Sequence, residues 1–262
     1  CYRYGNSSRN ILGCNGMKNL IGLKTTHFKK ISSTNKIALS KQYINVPNGT
    51  IFIADEQTDG IGRKNRKWYS PVGGLYFTIL FNQVEKLECY NKFSMLITLS
   101  IRNNLLDYLR DEFVKIKWPN DIYYRDRKIC GILLQSITEG VKSRLAIGIG
   151  ININSNINEF PEEMKPFVTS LSHIYGKTVD KKGFMDALLI DINHYYKEFV
   201  KDRFNSYIDN INNCLYKKGQ LAEFLVNEEN IDYKILGVNK DCSLSVMDER
   251  NHITKIIYGE VI

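Results

Sequence analysis

No apolar run in the chain approaches the roughly 20 residues needed to span a bilayer as a helix. The longest, LAIGIGINI at residues 145–153, falls far short. The six cysteines, at positions 1, 14, 89, 130, 214 and 242, contain no CxxC pair and no zinc-type spacing to a histidine. They read as reduced thiols of a cytosol-like compartment. A Walker GxxxxGK[ST] loop is also missing, as are internal repeats and an RNP-like aromatic signature. These absences argue against a membrane-spanning protein, a zinc module, a P-loop nucleotidase and a repeat array. No signal peptide is visible, and the first residue is not Met, which suits removal of an upstream segment.

What is present is the composition of a globular protein, 262 residues with 43% hydrophobic and 24% charged. That length holds one large domain, or a medium domain plus a small one. A net charge of +8 invites a nucleic-acid reading. Lysine is spread along the whole chain beside abundant Asn, Ile and Tyr, however, the mark of codon bias rather than of one basic face. An anionic ligand or an acidic protein partner fits the charge equally well.

Residues 1–22 are polar and aperiodic and read as a tail. Residues 26–42 predict a short strand and then a helix, N-capped by Ser32, Ser33 or Thr34. TIFIADEQ (50–57) and GLYFTILF (74–81) predict buried strands. Phe93, Leu96, Ile97, Ile101, Leu105 and Leu109 share one face of a helix over 90–109. VKIKW is a strand ending at Pro119, DIYYRDRKICGILLQSI a hairpin turning at Arg125-Asp126, and RLAIGIGINI a central strand. Residues 155–182 are loop-like, and a long amphipathic helix follows from Lys182. After Cys214 come four or five short strands, the pattern of a small antiparallel barrel.

Three stretches carry chemistry. In GIGRKNRKW (60–68) the glycines let backbone N–H groups approach a ligand and the cations favour an anion, although a charged hairpin turn explains the stretch alone. In KWPNDIYYRDRKICGIL (117–133) Pro119 ends a strand and Asn120-Asp121 form a polar turn. That turn would hold Lys117 and Asp121 at the sheet's mouth, with Lys128 returning on the second arm. GIGININ (148–154) ends a strand in small residues and asparagines, either a ligand approach or a softened strand end.

Together and in this order the stretches resemble the biotin–protein ligase (holocarboxylase synthetase) family. Its GRGRxxRxW pattern appears at residues 60–68, KWPND-x(6)-K-x-x-GIL is complete at 117–133, and GxGxN stands at 148–152. Ser33-Thr34-Asn35 and Gln57 also fall into place, and the likeness covers roughly residues 24–262. It implies an α+β fold: a class II synthetase-like catalytic domain of mixed sheet and helices over 23–213, then a small SH3-like β-barrel over 214–262. It also implies formation of biotinyl-5′-AMP from biotin and MgATP. Transfer to one lysine of a biotin carboxyl carrier domain, that of acetyl-CoA carboxylase or another biotin-dependent carboxylase, completes the reaction.

On that resemblance Lys128, Arg63 and Asp121 are the expected catalytic residues. Ser33, Thr34, Asn35, Gln57, Ile61, Gly62, Arg63, Lys128 and Gly131 are expected around biotin. Arg63, Arg66, Trp68, Lys117, Asn120, Lys128 and Asn152 are expected around ATP and the adenylate, with no protein metal site and Mg²⁺ entering with the nucleotide. Trp68 is either a face for adenine or a core residue, and Asp121 either orients the attacking amine or caps its turn. Ile61 departs from the family's Arg, and Asn65 replaces a common Gly.

Only about 22 residues precede the expected catalytic domain, too few for a winged helix, so DNA binding is not expected. A homodimer is left open. A cytoplasmic location is the first expectation, with a plastid or other organelle as the alternative after trimming. The competing readings are a lipoate–protein ligase or octanoyltransferase of the same superfamily, a non-enzymatic biotin or nucleotide binder, and a basic nucleic-acid-binding protein.

Overall fold

The computed structural model describes residues 20–140, 142–226 and 229–261. Cys1, Cys14 and nearly all of the expected tail lie outside the described residues. The end of that tail does not: Ile21 is only 3% exposed, and the Asn193 side chain bonds both its backbone N–H and its carbonyl.

The chain runs β1 (Thr25–Ile31), α1 (Thr34–Ala38), β2 (Thr50–Gln57), β3 (Leu75–Val84), α2 (Tyr90–Leu109), β4 (Val114–Lys117), β5 (Asp121–Tyr124), β6 (Arg127–Glu139) and β7 (Lys142–Ile151). It continues through α3 (Leu171–Tyr175), α4 (Lys181–Val200), α5 (Ile208–Asn213), β8 (Leu221–Val226), β9 (Glu229–Val238), β10 (Leu244–Met247), β11 (Ile253–Ile256) and β12 (Glu260–Val261). The first seven strands form one sheet in the order β1-β2-β3-β7-β6-β5-β4, parallel only between β1 and β2. No helix among the described residues is long and apolar enough to cross a membrane.

Strand alternation gives this sheet two different faces. Phe77, Ile79 and Phe81 of β3 and Leu145, Ile147 and Ile149 of β7 pack with Phe93, Ile97 and Ile101 of α2 and Leu188 and Ile192 of α4. The intervening positions, Thr78 and Leu80 on β3 and Ala146, Gly148 and Gly150 on β7, face the other way, toward α1. There Ala38, Leu39, Phe52, Leu80 and Ala146 make a smaller core. The two long helices thus form where the 3.6-residue spacing predicts them, and Asp180 caps α4 through the Lys182 N–H at 3.1 Å. Ser33 takes the N-cap position of α1, but its hydroxyl makes no capping bond.

Strands β8 to β12 form a second, antiparallel sheet in the order β11-β10-β9-β8-β12. The expected barrel is realised as this five-stranded sheet, and no pairing between its edges β11 and β12 closes it among the described residues. Its core is continuous with the first part of the molecule. Phe224, Ile235 and Val246 share one cluster with Met95, Leu96, Leu99 and Trp118. The Trp118 indole also donates to the Cys242 carbonyl at 2.9 Å.

Candidate active site

On the α1 face of the large sheet a cavity of about 230 Å³ opens beside the ends of β5, β6 and β7. Its floor is made by small residues. A Cβ on Gly148 would lie 2.4 Å from Asn35 Oδ1, and one on Gly150 would lie 2.5 Å from Trp68 Nε1. These glycines make room for two side chains of the protein, which in turn line the cavity.

The inner end is neutral and polar. Ser33, Thr34 and Asn35 are at most 5% exposed. The Thr34 backbone N–H and hydroxyl donate to Gln57 Oε1 at 2.8 and 3.1 Å, and Gln57 Nε2 reaches Ser70 Oγ at 2.9 Å. Asn35 Nδ2 donates to Gln135 Oε1 at 2.8 Å, while Thr78 Oγ1 lies 2.6 Å from Asn35 Oδ1 and 2.8 Å from Thr34 Oγ1. Such a network fixes each amide and hydroxyl in one orientation before a ligand arrives. Thr78, Ser70 and Gln135 were not singled out from sequence. A polar Thr78 inside the apolar run LYFTILF is the signal that could have found it.

The mouth is cationic, with Arg63, Arg66, Lys67, Lys117 and Lys128 against the carboxylates of Asp121 and Glu260. Lys128 reaches it through a β-bulge. Register slips between Ile122, which faces Cys130, and Tyr123, which faces Lys128. Ile129 is therefore the extra residue, and Ile129 and Cys130 are both buried in the core. Without the slip Lys128 would share the core-facing side of Cys130; the bulge turns it to the cavity side of Gly131. There its ammonium bonds Asp121 Oδ2 at 2.6 Å and stands 5.3 Å from the centre of the Trp68 ring. Asp121 Oδ1 and Trp68 Nε1 are buried without a hydrogen-bond partner, one acceptor and one donor left for a ligand at this spot.

Asn120 braces the turn, its side chain bonding the Ile132 carbonyl and its own carbonyl accepting from the Ile132 N–H at 2.9 Å. Lys117 lies across from Asp121 in the register. Burial lowers its pKa below the ordinary lysine value, opposed in part by the Asp121 and Glu260 carboxylates.

The loop of residues 59–68 folds over the mouth as a tight turn. Gly62 N–H bonds the Arg66 carbonyl at 2.7 Å and Trp68 N–H bonds Gly60 at 2.8 Å. Lys64 and Asn65 are left-handed, with φ of 54° and 57°. Asn tolerates that conformation better than most residues, which accounts for Asn65 where Gly would otherwise serve. Arg63 Nη2 donates to the Gly259 carbonyl at 2.9 Å, and Arg66 pairs with Glu260 at 2.5 Å. The loop is thereby tied to the C-terminal sheet, a link that nothing in the loop's own sequence reveals.

The structure thus brings together Ser33, Thr34, Asn35, Gln57, Ile61, Gly62, Arg63, Arg66, Trp68, Lys117, Asn120, Asp121, Lys128 and Gly131 around one cavity. Asn152 is not in that wall. It is buried, with Nδ2 on the Thr169 carbonyl at 3.1 Å and Oδ1 without a hydrogen-bond partner among the described residues.

The family model described as Biotin/lipoate A/B protein ligase family matches residues 27–152. A Bacillus subtilis bifunctional ligase/repressor BirA is 32% identical over 187 residues, 71% of this chain and 57% of that protein. A Paracoccus denitrificans biotin–[acetyl-CoA-carboxylase] ligase is 30% identical over 61% of this chain and 67% of its own length. The Aquifex aeolicus biotin protein ligase, solved with biotin and ATP, superposes with a TM-score of 0.78 at 30% identity, covering 92% of this chain and 98% of that one. The chain belongs to the biotin–protein ligase family. It spans little more than half the length of the Bacillus relative. Within the biotin–protein ligase pattern the departure at Ile61 keeps its place: Ile61 lines the cavity and bridges to Lys67 through the backbone. The turn is closed by backbone bonds and by Arg63 and Arg66, without a side-chain contribution from position 61 to the bonds above.

Proposed function

We propose that the chain is an ATP-dependent biotin–protein ligase. The observation that carries this reading is the polarity of the cavity: a buried, neutral hydrogen-bonding end opens onto a cationic mouth. Biotin has the matching polarity, with a neutral ureido head, an apolar body and a terminal carboxylate. The Thr34–Gln57–Asn35 network suits the ureido group, and the Trp68 ring lines the same cavity beside Lys128.

In the first step a biotin carboxylate oxygen attacks the α-phosphorus of ATP, a new P–O bond forms, and pyrophosphate leaves with the electrons of the broken one. Two anions must be brought together, so fixed cations have to offset their repulsion in the transition state. Lys128 and Arg63 are assigned that role, Arg63 through its planar fork. Magnesium arrives as part of the nucleotide. In the second step a lysine amine attacks the acyl carbon and AMP departs. The amine must be neutral, against a free pKa of about 10.4, and Asp121, with one oxygen unpartnered, is assigned to orient it and receive its proton.

The acceptor is proposed to be the biotin carboxyl carrier domain of acetyl-CoA carboxylase or a related carboxylase. The test supplies purified protein with MgATP and either biotin or lipoate, and follows pyrophosphate release with and without a carrier domain. Biotin-dependent release, made multiple-turnover by the carrier, is the expected result. Lipoate-dependent release would move the protein to the sister activity, and no release with either acid would remove the ligase reading.

A further inference from the structure

Lys117 is held differently from Arg63, Arg66 and Lys128. Arg66 and Lys128 each have a carboxylate at 2.5 and 2.6 Å, and Arg63 donates to the oxygens of Asn120 and Gly259. Among the described residues no carboxylate comes within 4.0 Å of the Lys117 ammonium. What it has is Tyr123: Nζ lies 4.5 Å from the ring centre and 3.4 Å from the hydroxyl, with the Tyr216 ring farther out at 5.8 Å.

The two rings form one platform, with centroids 5.4 Å apart and planes inclined by 33°. Tyr216 is itself fixed, its hydroxyl donating to Asp126 at 2.6 Å and its backbone N–H to the Ile116 carbonyl at 2.8 Å. Tyr123 is two residues from Asp121 on β5 and so shares its face, and Lys117 is cross-strand from Asp121. Ring and ammonium therefore both line the cavity.

A half-buried ammonium with no carboxylate in contact is disfavoured, and an aromatic face offsets part of that cost without neutralising the charge. A lysine already paired to a carboxylate would have to give up an ion pair to meet a phosphate; Lys117 can meet one while keeping its ring contact. We propose that Tyr123, backed by Tyr216, is a positioning residue for the nucleotide, seating the Lys117 ammonium at the cavity mouth where the phosphate chain of ATP is bound. The proposal rests on the ligase reading above.

Steady-state pyrophosphate release by the full chain, at varied ATP and at varied biotin, tests it in the wild type and in Tyr123→Phe, Tyr123→Leu and Tyr123→Met. Loss of the ring is expected to raise KM for ATP about 3- to 10-fold, the size of one aromatic–ammonium contact. KM for biotin should stay within about twofold, and Tyr123→Phe should stay within about twofold of the wild type for both substrates. A merely structural tyrosine would move both KM values together, and that result overturns the proposal. So does an unchanged KM for ATP in a ring-less variant that melts like the wild type, or a Phe variant as impaired as the Leu one. Either ring-less variant suffices if the other fails to fold. A wild type inactive with biotin would remove the ligase reading and this proposal with it; an active wild type indifferent to the ring removes this proposal alone.

Discussion

Along β7, Leu145, Ile147, Ile149 and Ile151 point to one face of the sheet, and Ala146, Gly148 and Gly150 to the other. On the first face branched side chains meet two 20-residue helices. On the second the same strand offers almost no side chain, and Asn35 and Trp68 fill the space above it. A close-packed apolar face tolerates no loss of volume. A face of glycines holds a cavity only because other elements, α1 and the loop of residues 59–68, are brought over it. Stability is therefore concentrated on one side of the strand and ligand chemistry on the other, and substitutions should separate the two.

The largest effect is expected on the helical face. Phe93→Ala should cost about 3–5 kcal/mol of unfolding free energy by denaturant titration, because Phe93 is fully buried against Phe81 and Phe199. Its KM for biotin should hold wherever the variant is still folded. On the cavity face the order reverses. Lys128→Met should slow adenylation by about 10²–10³ in single-turnover measurements, with a loss of stability well below that of Phe93→Ala. Equal stability losses in the two variants would break the division between the faces.

Gly150→Ala probes the boundary. Its new Cβ would meet the Trp68 indole at 2.5 Å, so the ring must lift, at about 1–3 kcal/mol, and biotin binding should weaken with it. Gly62→Ala is the smallest change in stability, within about 0.5 kcal/mol. Its Cβ would find only the Arg66 carbonyl at 3.4 Å, and the backbone φ there is −105°. Binding measured by calorimetry should nevertheless weaken if ligand groups approach this backbone closely. Unchanged affinity would leave Gly62 without a role toward the ligand.

Much of this was legible in the sequence, for identifiable reasons. The helices α2 and α4 carry an uninterrupted 3.6-residue spacing, and the turn at Arg125-Asp126 is flanked by strand-forming runs. Motif residues of the cavity were legible because each lies beside the turn or strand end that places it. Contacts between distant segments were not. The Arg66–Glu260 pair joins residues 194 apart, and Thr78 reaches Asn35 from a strand 43 residues on. The bulge at Ile129 was also hidden, since a one-residue slip leaves no mark in composition yet decides which way Lys128 points. Asn152 is a mixed case: its motif position suggested a ligand, and the fold ties Nδ2 to Thr169 while leaving Oδ1 without a partner among the described residues.

The central claim is that one cavity recognises a neutral head at its inner end and joins two anions at its mouth. The most direct measurement incubates the protein with biotin and MgATP, removes free ligand by gel filtration, and identifies what remains bound by mass spectrometry after denaturation. Biotinyl-5′-AMP close to one per chain, and little or none from Lys128→Met, is the predicted result. Retention of unreacted biotin alone, or of an equal amount of adenylate formed from lipoate, would contradict the account.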